Sequence, residues 1–367
     1  MKVKIACVQL NPKLGQVERN IVRARQLLAQ LKGEVDLIVF PELALTGYKF
    51  ESRSAIEPFL EPTSAGVSAQ FAADVSRQYR CFTVIGYPER TQDLGRSDVI
   101  YNSALLTNPV GRVVHNYRKT FLYEADEDFG CTENPSRTFE PVEVILDKRY
   151  YSADPSPSPD GSGDFKRTSV NFGICMDLNP YKFEAPFNKF EFSLASFARR
   201  ATLIVCPMAW LSPASPSLTD ETADEKARAA HIIHERFFAN EAAPTIDLDP
   251  SSRSFRPEDA EAHERSGRPF VPSQPEYSTV NYWILRFFPF LNHPRNELPK
   301  HYSNVAVVAC NRTGLESDVL YAGSSSIIQF RNVPGNTHIT TRNPSVSVEG
   351  ALGQGAEGIL VREVEVD

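Results

Sequence analysis

The 367-residue sequence has no uninterrupted stretch of the roughly 18 apolar residues that a membrane-spanning helix needs. Its beginning, Met1 to Leu10, also lacks the continuous apolar core of a signal peptide. Basic residues are not in excess, because 39 Lys and Arg face 46 Asp and Glu and the formal net charge is −7. We therefore expect a cytoplasmic protein that binds neither nucleic acid nor a membrane, with a small or neutral partner.

The sequence is also poor in motifs that bind metals or activate a serine. Its six cysteines include no Cys-x-x-Cys pair, and Gly-x-Ser-x-Gly does not occur. His231 and His234 share one face of a predicted helix, but no third ligand motif accompanies them. We predict no metal and no cofactor. In a reducing compartment the cysteines are free thiols, so one of them could serve as a nucleophile.

Apolar runs of strand length alternate with helical patterns along the chain. Val3 to Leu10 and Leu37 to Phe40 flank a helical pattern, and Ser169 to Ile174, Leu203 to Val205 and Val305 to Ala309 repeat this arrangement in the second half. Strands that are apolar on both faces are typical of sheets covered by helices. The pattern predicts the α/β class.

Two segments rich in Pro, Ser and charge interrupt the alternation. They lie at about residues 150–166 and 247–300 and are predicted to be surface insertions. No internal repeat is present, so a solenoid is excluded. We expect a single domain over residues 1–367.

Three reactive side chains stand at the ends of strand-like runs. Glu42 follows an apolar run and a proline, where partial burial would raise its pKa toward that of a general base. Lys119 ends an amphipathic run beside aromatic residues, and Cys175 stands at a sharp strand-to-helix turn that exposes the sulfur and directs N–H groups to one point. Each has an ordinary alternative: a solvated turn residue, a charged rim lysine and an inert core cysteine.

In this order, Pro41-Glu42, Arg118-Lys119 and Gly173-Ile174-Cys175 resemble the nitrilase superfamily of carbon–nitrogen hydrolases, and Tyr101-Asn102-Ser103-Ala104 extends the resemblance. It implies a four-layer α-β-β-α sandwich of two mixed sheets, and a catalytic Glu42, Lys119 and Cys175 that form and hydrolyse a thioester without a cofactor. A homo-oligomer is also compatible with this resemblance. Many relatives carry a second glutamate eight positions after the lysine. Glu127 has this spacing, and its alternative is a residue of a solvated acidic loop.

The segments Cys175 to Phe187 and Glu124 to Asp128 resemble the fungal N-terminal amidase branch of this superfamily. That branch deamidates N-terminal Asn and Gln to Asp and Glu and feeds an N-degron pathway. The implied partners are proteins or peptides with a free N-terminal Asn or Gln. The alternatives are a small-molecule amidase, nitrilase or carbamoylase with the same triad, and a non-catalytic binding or scaffold protein on this fold.

Three further residues are predicted to contact the substrate. The N–H of Met176 is expected to hold the oxyanion together with Lys119. Asp177 is a candidate anchor for the free α-ammonium, because a fixed anion would restrict substrates to chain ends; capping of a helix is its alternative. Trp210 is expected to line the pocket, with buried aromatic packing as the alternative.

Overall fold

The computed structural model describes residues 1–91, 98–151, 165–240, 242–251, 270–335 and 343–367. The strands of these residues are β1 (Lys2–Gln9), β2 (Leu37–Val39), β3 (Glu61–Pro62), β4 (Phe82–Thr91), β5 (Val99–Thr107), β6 (Val113–Arg118), β7 (Val142–Val144), β8 (Thr168–Phe172), β9 (Leu203–Met208), β10 (Thr245–Asp247), β11 (Asn304–Asn311), β12 (Leu315–Glu316), β13 (Val319–Leu320), β14 (Ser326–Arg331), β15 (Val346–Ala351) and β16 (Gly358–Glu365). The α-helices are α1 (Val17–Leu28), α2 (Arg53–Ile56), α3 (Val67–Tyr79), α4 (Glu124–Asp128), α5 (Glu191–Ala198), α6 (Ala223–Ile233) and α7 (Tyr277–Arg286). None of the helices described is both long enough and apolar enough to cross a membrane.

Two mixed sheets contain most of the strands. The first has the order β10-β16-β1-β2-β4-β5-β6, with β3 paired to β4, and the second has the order β15-β14-β11-β9-β8-β7. Parallel neighbours such as β1 and β2, or β8 and β9, need a crossover connection, and α1 and α5 lie in these two connections. The crossovers therefore place helices on the faces of the sheets.

The alternation of side chains along β1 shows how the layers are assembled. Ile5 and Cys7 belong to the core shared with the second sheet, whereas Ala6 and Val8 belong to a separate core that includes residues of α1 and α3. Neighbouring residues of a strand point to opposite faces, so one strand serves both cores. The structure confirms the four-layer α-β-β-α sandwich that the resemblance implied.

The structure describes only part of each predicted insertion. Most of the first, residues 152–164, lies outside the described residues, as do residues 252–269 of the second. Within the second, α7 has Val280 and Trp283 fully buried in the core of the second sheet. The apolar face of α7 covers that sheet. The sequence pattern did not predict this helix, because the residues before it are rich in Pro and Ser.

Candidate active site

Three strand ends carry the predicted reactive groups to one place. Glu42 lies three residues after β2, Lys119 follows β6 directly, and Cys175 lies three residues after β8. Gly86 of β4 allows the close approach of the Glu42 segment, since a Cβ at Gly86 would lie 2.7 Å from the Glu42 Cα. The structure thus brings together three residues that lie far apart in the sequence.

A buried hydrogen-bond cluster surrounds the Lys119 ammonium. Nζ donates to Glu42 Oε1 at 2.7 Å and to Asp126 Oδ2 at 2.6 Å. The Asn102 amide donates to the same two carboxylates, at 2.6 Å and 2.8 Å, and the Ala209 N–H donates to Glu42 Oε2 at 2.7 Å. Glu42, Lys119 and Asp126 are fully buried, so the cluster is rigid and shielded from water.

The environment raises the pKa of all three reactive groups. Burial raises the pKa of Glu42, and Asp126 adds to this effect while Lys119 opposes it. Burial also raises the pKa of the Cys175 thiol well above its ordinary value, and the negative charge of Glu42 raises it further. Burial alone would lower the pKa of Lys119, but the charges of Asp126 and Glu42 outweigh it and raise that pKa well above its usual value. The resting site therefore holds a thiol beside a lysine cation.

The cysteine occupies a strained turn. Cys175 has a φ of 44°, in the left-handed region, and begins a 3₁₀ turn over Cys175–Leu178. Such strain in a non-glycine residue is common at functional sites. Gly173 is required just before it, since a Cβ there would lie 2.6 Å from the Phe192 ring. The N–H of Met176 comes at the start of the turn, where backbone donors lack partners within the helix.

Cys175 is exposed to a pocket of about 530 Å³. This volume is within the range of pockets that hold whole small ligands. Met176 and Trp210 are among its lining residues. The wall is otherwise rich in aromatic residues and neutral polar groups, and the remaining lining residues are Tyr48, Tyr123, Asn179, Phe183, Ala209, Leu211, Pro213, Leu218, Ser278, Thr279 and Tyr282.

Glu127 does not occupy the position predicted for it. Its side chain is 55% exposed and lies 3.9 Å from the ammonium of Lys182. Asp126 contacts Lys119 instead and also accepts a hydrogen bond from the Tyr123 N–H at the start of α4. Successive helical residues point about 100° apart, so only one of two neighbours can face inward. The expectation for Glu127 is therefore corrected in favour of Asp126.

Asp177 is not placed to anchor a substrate ammonium. It is fully buried, and its carboxylate accepts hydrogen bonds from Tyr117 Oη and from the N–H groups of Thr120, Phe121 and Ile174, so its acceptor sites are already occupied. Burial raises its pKa to about 7. The bond from Ile174 makes it a cap of the turn that begins at Cys175, which was the alternative considered from the sequence.

Sequence reasoning missed four contributors to the cluster. Asn102 lies in a segment that supports the family resemblance, and that segment was the available signal. Asp126 was hidden in an acidic run. The Ala209 N–H has no sequence signal, because every residue except proline supplies one. Tyr48, whose ring centroid lies 5.6 Å from Lys119 Nζ, follows Glu42 by six positions in the segment Thr46-Gly47-Tyr48.

Fold and cluster together define a thiol hydrolase built on the four-layer sandwich. Residues 4–178 match the carbon-nitrogen hydrolase family. Protein N-terminal amidases of Saccharomyces cerevisiae and Schizosaccharomyces pombe are each 31% identical to this chain; the alignments cover 100% and 99% of it, and 96% and 100% of those proteins. The chain belongs to the carbon-nitrogen hydrolase family, in the group of protein N-terminal amidases, and is a hydrolase of carbon–nitrogen bonds other than peptide bonds.

Solved structures agree with this assignment. Crystal structures of an N-terminal amidase with a Gln-Gly peptide and with an Asn-Glu peptide superpose on this chain with TM-scores of 0.81 and 0.82 at 31% identity. Each match covers 99% of this chain and 97% of the other. The similarity therefore extends through both sheets and the helices that cover them.

Proposed function

We propose that this protein removes ammonia from the side-chain carboxamide of N-terminal Asn or Gln, producing Asp or Glu and feeding an N-degron pathway. The observation that carries the proposal is the buried Glu42–Lys119–Asp126 cluster beside Cys175, in a chain similar over its whole length to protein N-terminal amidases. Solved relatives hold peptides that begin with Gln or Asn. The substrate class here is the same.

In the first half of the reaction Glu42 accepts the Cys175 thiol proton as the sulfur attacks the carboxamide carbon. The carbonyl oxygen becomes an oxyanion. An ammonium has three donors, and Lys119 gives two to carboxylates, so one N–H remains to meet this oxygen together with the N–H of Met176. Glu42 then passes its proton to the leaving nitrogen. The carbon–nitrogen bond breaks, ammonia departs and a thioester to Cys175 remains.

In the second half Glu42 acts again as the base. It takes a proton from water, and the resulting hydroxide attacks the thioester carbon. Collapse of the oxyanion breaks the carbon–sulfur bond, and Glu42 returns the proton to the sulfur. The product is a side-chain carboxylic acid. Glu42 therefore needs the fixed position that Asn102, Lys119 and the Ala209 N–H give it.

The free α-ammonium of the substrate needs acceptors other than Asp177. The described lining residues include no carboxylate, but Asn179 Oδ1 accepts one hydrogen bond, from Tyr282 Oη at 2.7 Å, and retains a lone pair. The Trp210 and Tyr282 rings lie 5.6 Å apart on the same wall and offer faces to a cation. Together they are the groups we propose for chain-end selection.

One panel of peptides tests the proposal. Peptides with N-terminal Asn, N-terminal Gln and their N-acetylated forms are compared for ammonia release, with free carboxamides, nitriles and carbamoyl compounds as small-molecule alternatives. We expect turnover of the free peptides only, and none with Cys175→Ala. Equal turnover of acetylated peptides would favour the small-molecule alternative. Full activity of the Cys175→Ala enzyme would overturn the mechanism. If the wild type turned over none of these compounds, the scaffold alternative would be favoured.

Two further expectations belong to this proposal. A reducing compartment such as the cytoplasm suits a reaction that depends on a free thiol at Cys175. Formation of a homo-oligomer stays a prediction from the family resemblance, and light scattering of the purified protein would test it.

A further inference from the structure

Asp177 joins the two segments that carry Lys119 and Cys175. Its Oδ1 accepts the N–H groups of Thr120 at 3.1 Å and Phe121 at 2.7 Å, the two residues directly after Lys119. Its Oδ2 accepts the N–H of Ile174 at 2.8 Å, directly before Cys175. One buried carboxylate thus holds the neighbours of both reacting groups.

The same carboxylate also closes the strained turn at Cys175. The Ile174 N–H donates to the Asp177 side chain, and the Asp177 N–H donates back to the Ile174 carbonyl at 3.0 Å, so the two hydrogen bonds enclose Cys175. A left-handed φ in a non-glycine residue persists only where the surroundings impose it. These two bonds are the local constraint that imposes it.

A fourth donor ties Asp177 to the preceding strand. The Tyr117 hydroxyl at the end of β6 donates to Oδ2 at 2.7 Å and lies 3.0 Å from Thr120 Oγ1. Tyr117 is almost fully buried, so this bond does not compete with water. All four donors belong to the two segments that carry Lys119 and Cys175. None of these donor residues lines the pocket.

We propose that Asp177 is a positioning residue that sets the Cys175 sulfur relative to the Lys119 ammonium, and that it contributes to kcat rather than to substrate binding. The proposal rests on the reacting roles given above to Cys175 and Lys119. A carboxylate is required because all four of its neighbours donate. An amide of the same shape would present an N–H where the Ile174 N–H now finds an acceptor.

The test is steady-state kinetics of Asp177→Asn with an N-terminal Gln peptide. We expect kcat to fall about 10- to 100-fold, the effect of leaving one buried donor unsatisfied in a reacting geometry, with KM within about threefold. The matched control is Glu61→Gln, since Glu61 is also buried and accepts two hydrogen bonds from Ser68, outside the pocket and the cluster. That variant should lose stability yet keep its kcat.

A second readout separates positioning from loss of fold. The rate at which iodoacetamide labels Cys175, followed by mass spectrometry of its peptide, should fall in Asp177→Asn and stay unchanged in Glu61→Gln. Tyr117→Phe removes one donor and leaves the carboxylate, so its kcat should fall about 2- to 10-fold. If Asp177→Asn does not fold, Tyr117→Phe decides the question.

Wild-type kcat and labelling rate in a folded Asp177→Asn or Tyr117→Phe enzyme would overturn the proposal. So would a change confined to KM. This failure is distinct from failure of the proposed function, which would appear as activity in Cys175→Ala. An inactive Cys175→Ala together with a fully active Asp177→Asn would leave the function intact and remove only the positioning role.

Discussion

The Asp126→Asn substitution tests whether Asp126, and not its sequence neighbour Glu127, holds Lys119. The Asp126 carboxylate is fully buried and bonds Lys119, Asn102 and the Tyr123 N–H. Removing one partner of a buried ion pair costs about 3 to 5 kcal/mol. Because Asn retains one acceptor oxygen, we use the lower end, about 3 kcal/mol, which corresponds to a roughly 100-fold fall in kcat if the loss appears in the transition state.

The pH profile gives the Asp126→Asn variant a second signature. Glu42 must be ionised to act as a base, so activity rises as the pH rises through its pKa. Burial places that pKa above 4.5, and the negative charge of Asp126 raises it further. Loss of this charge should therefore move the acid limb of kcat/KM to lower pH. Ammonia release between pH 4.5 and 8 measures both effects, since 4.5 is the ordinary pKa of a glutamate.

Glu127→Gln is the matched control for Asp126→Asn. The Glu127 side chain is more than half exposed, and its contact with Lys182 is at 3.9 Å. Exposed ion pairs contribute about 0 to 1 kcal/mol, so kcat should stay within about twofold of the wild type. A fully active Asp126→Asn enzyme would refute the reasoning. An equally large loss in Glu127→Gln would restore the role that spacing alone predicted.

Three other substitutions test separate parts of the structure. Tyr282→Phe removes the bond to Asn179 and should raise KM about 2- to 10-fold at constant kcat in steady-state assays; an unchanged KM would exclude this wall from substrate binding. Gly47→Ala should lower the free energy of unfolding by about 2 kcal/mol in denaturant titrations, because φ is 80° and a Cβ would lie 2.6 Å from Glu316 Oε1; unchanged stability would refute the clash. Burial raises the pKa of Asp177 from 3.8 to about 7, so the folded chain binds the extra proton and the free energy of unfolding falls as the pH rises through this window. Denaturation at pH 5 and pH 8 should show a smaller difference in Asp177→Asn, and an equal difference would assign the pH dependence to other groups.

The three reactive residues could be predicted from the sequence because their signals are local. Glu42, Lys119 and Cys175 each follow a strand-like run within three residues, and the chain resembles a known family at all three. The pairing of the strands is not local. β1 lies beside β16, from the other end of the chain, and no periodic pattern identifies that partner. Only the family resemblance implied the four layers.

The errors at Glu127 and Asp177 have a common physical origin. A spacing in sequence does not determine which face of a short element is buried, and α4 has only five residues over which a pattern could appear. For Asp177, closeness to the nucleophile suggested contact with the substrate. The turn at Cys175 directs that side chain away from the pocket, toward the N–H groups of Thr120 and Phe121.

The raised pKa values of Cys175 and Glu42 act in the same direction for catalysis. Burial disfavours the thiolate and the carboxylate alike, so moving a proton from the sulfur to the carboxylate transfers a negative charge between two buried sites and creates no new one. Lys119 interacts electrostatically with both sites and stabilises the charge at either end of the transfer. A cluster exposed to water would stabilise Glu42 as an anion and weaken it as a base. The burial that makes the thiol unreactive alone is thus what allows its neighbour to activate it.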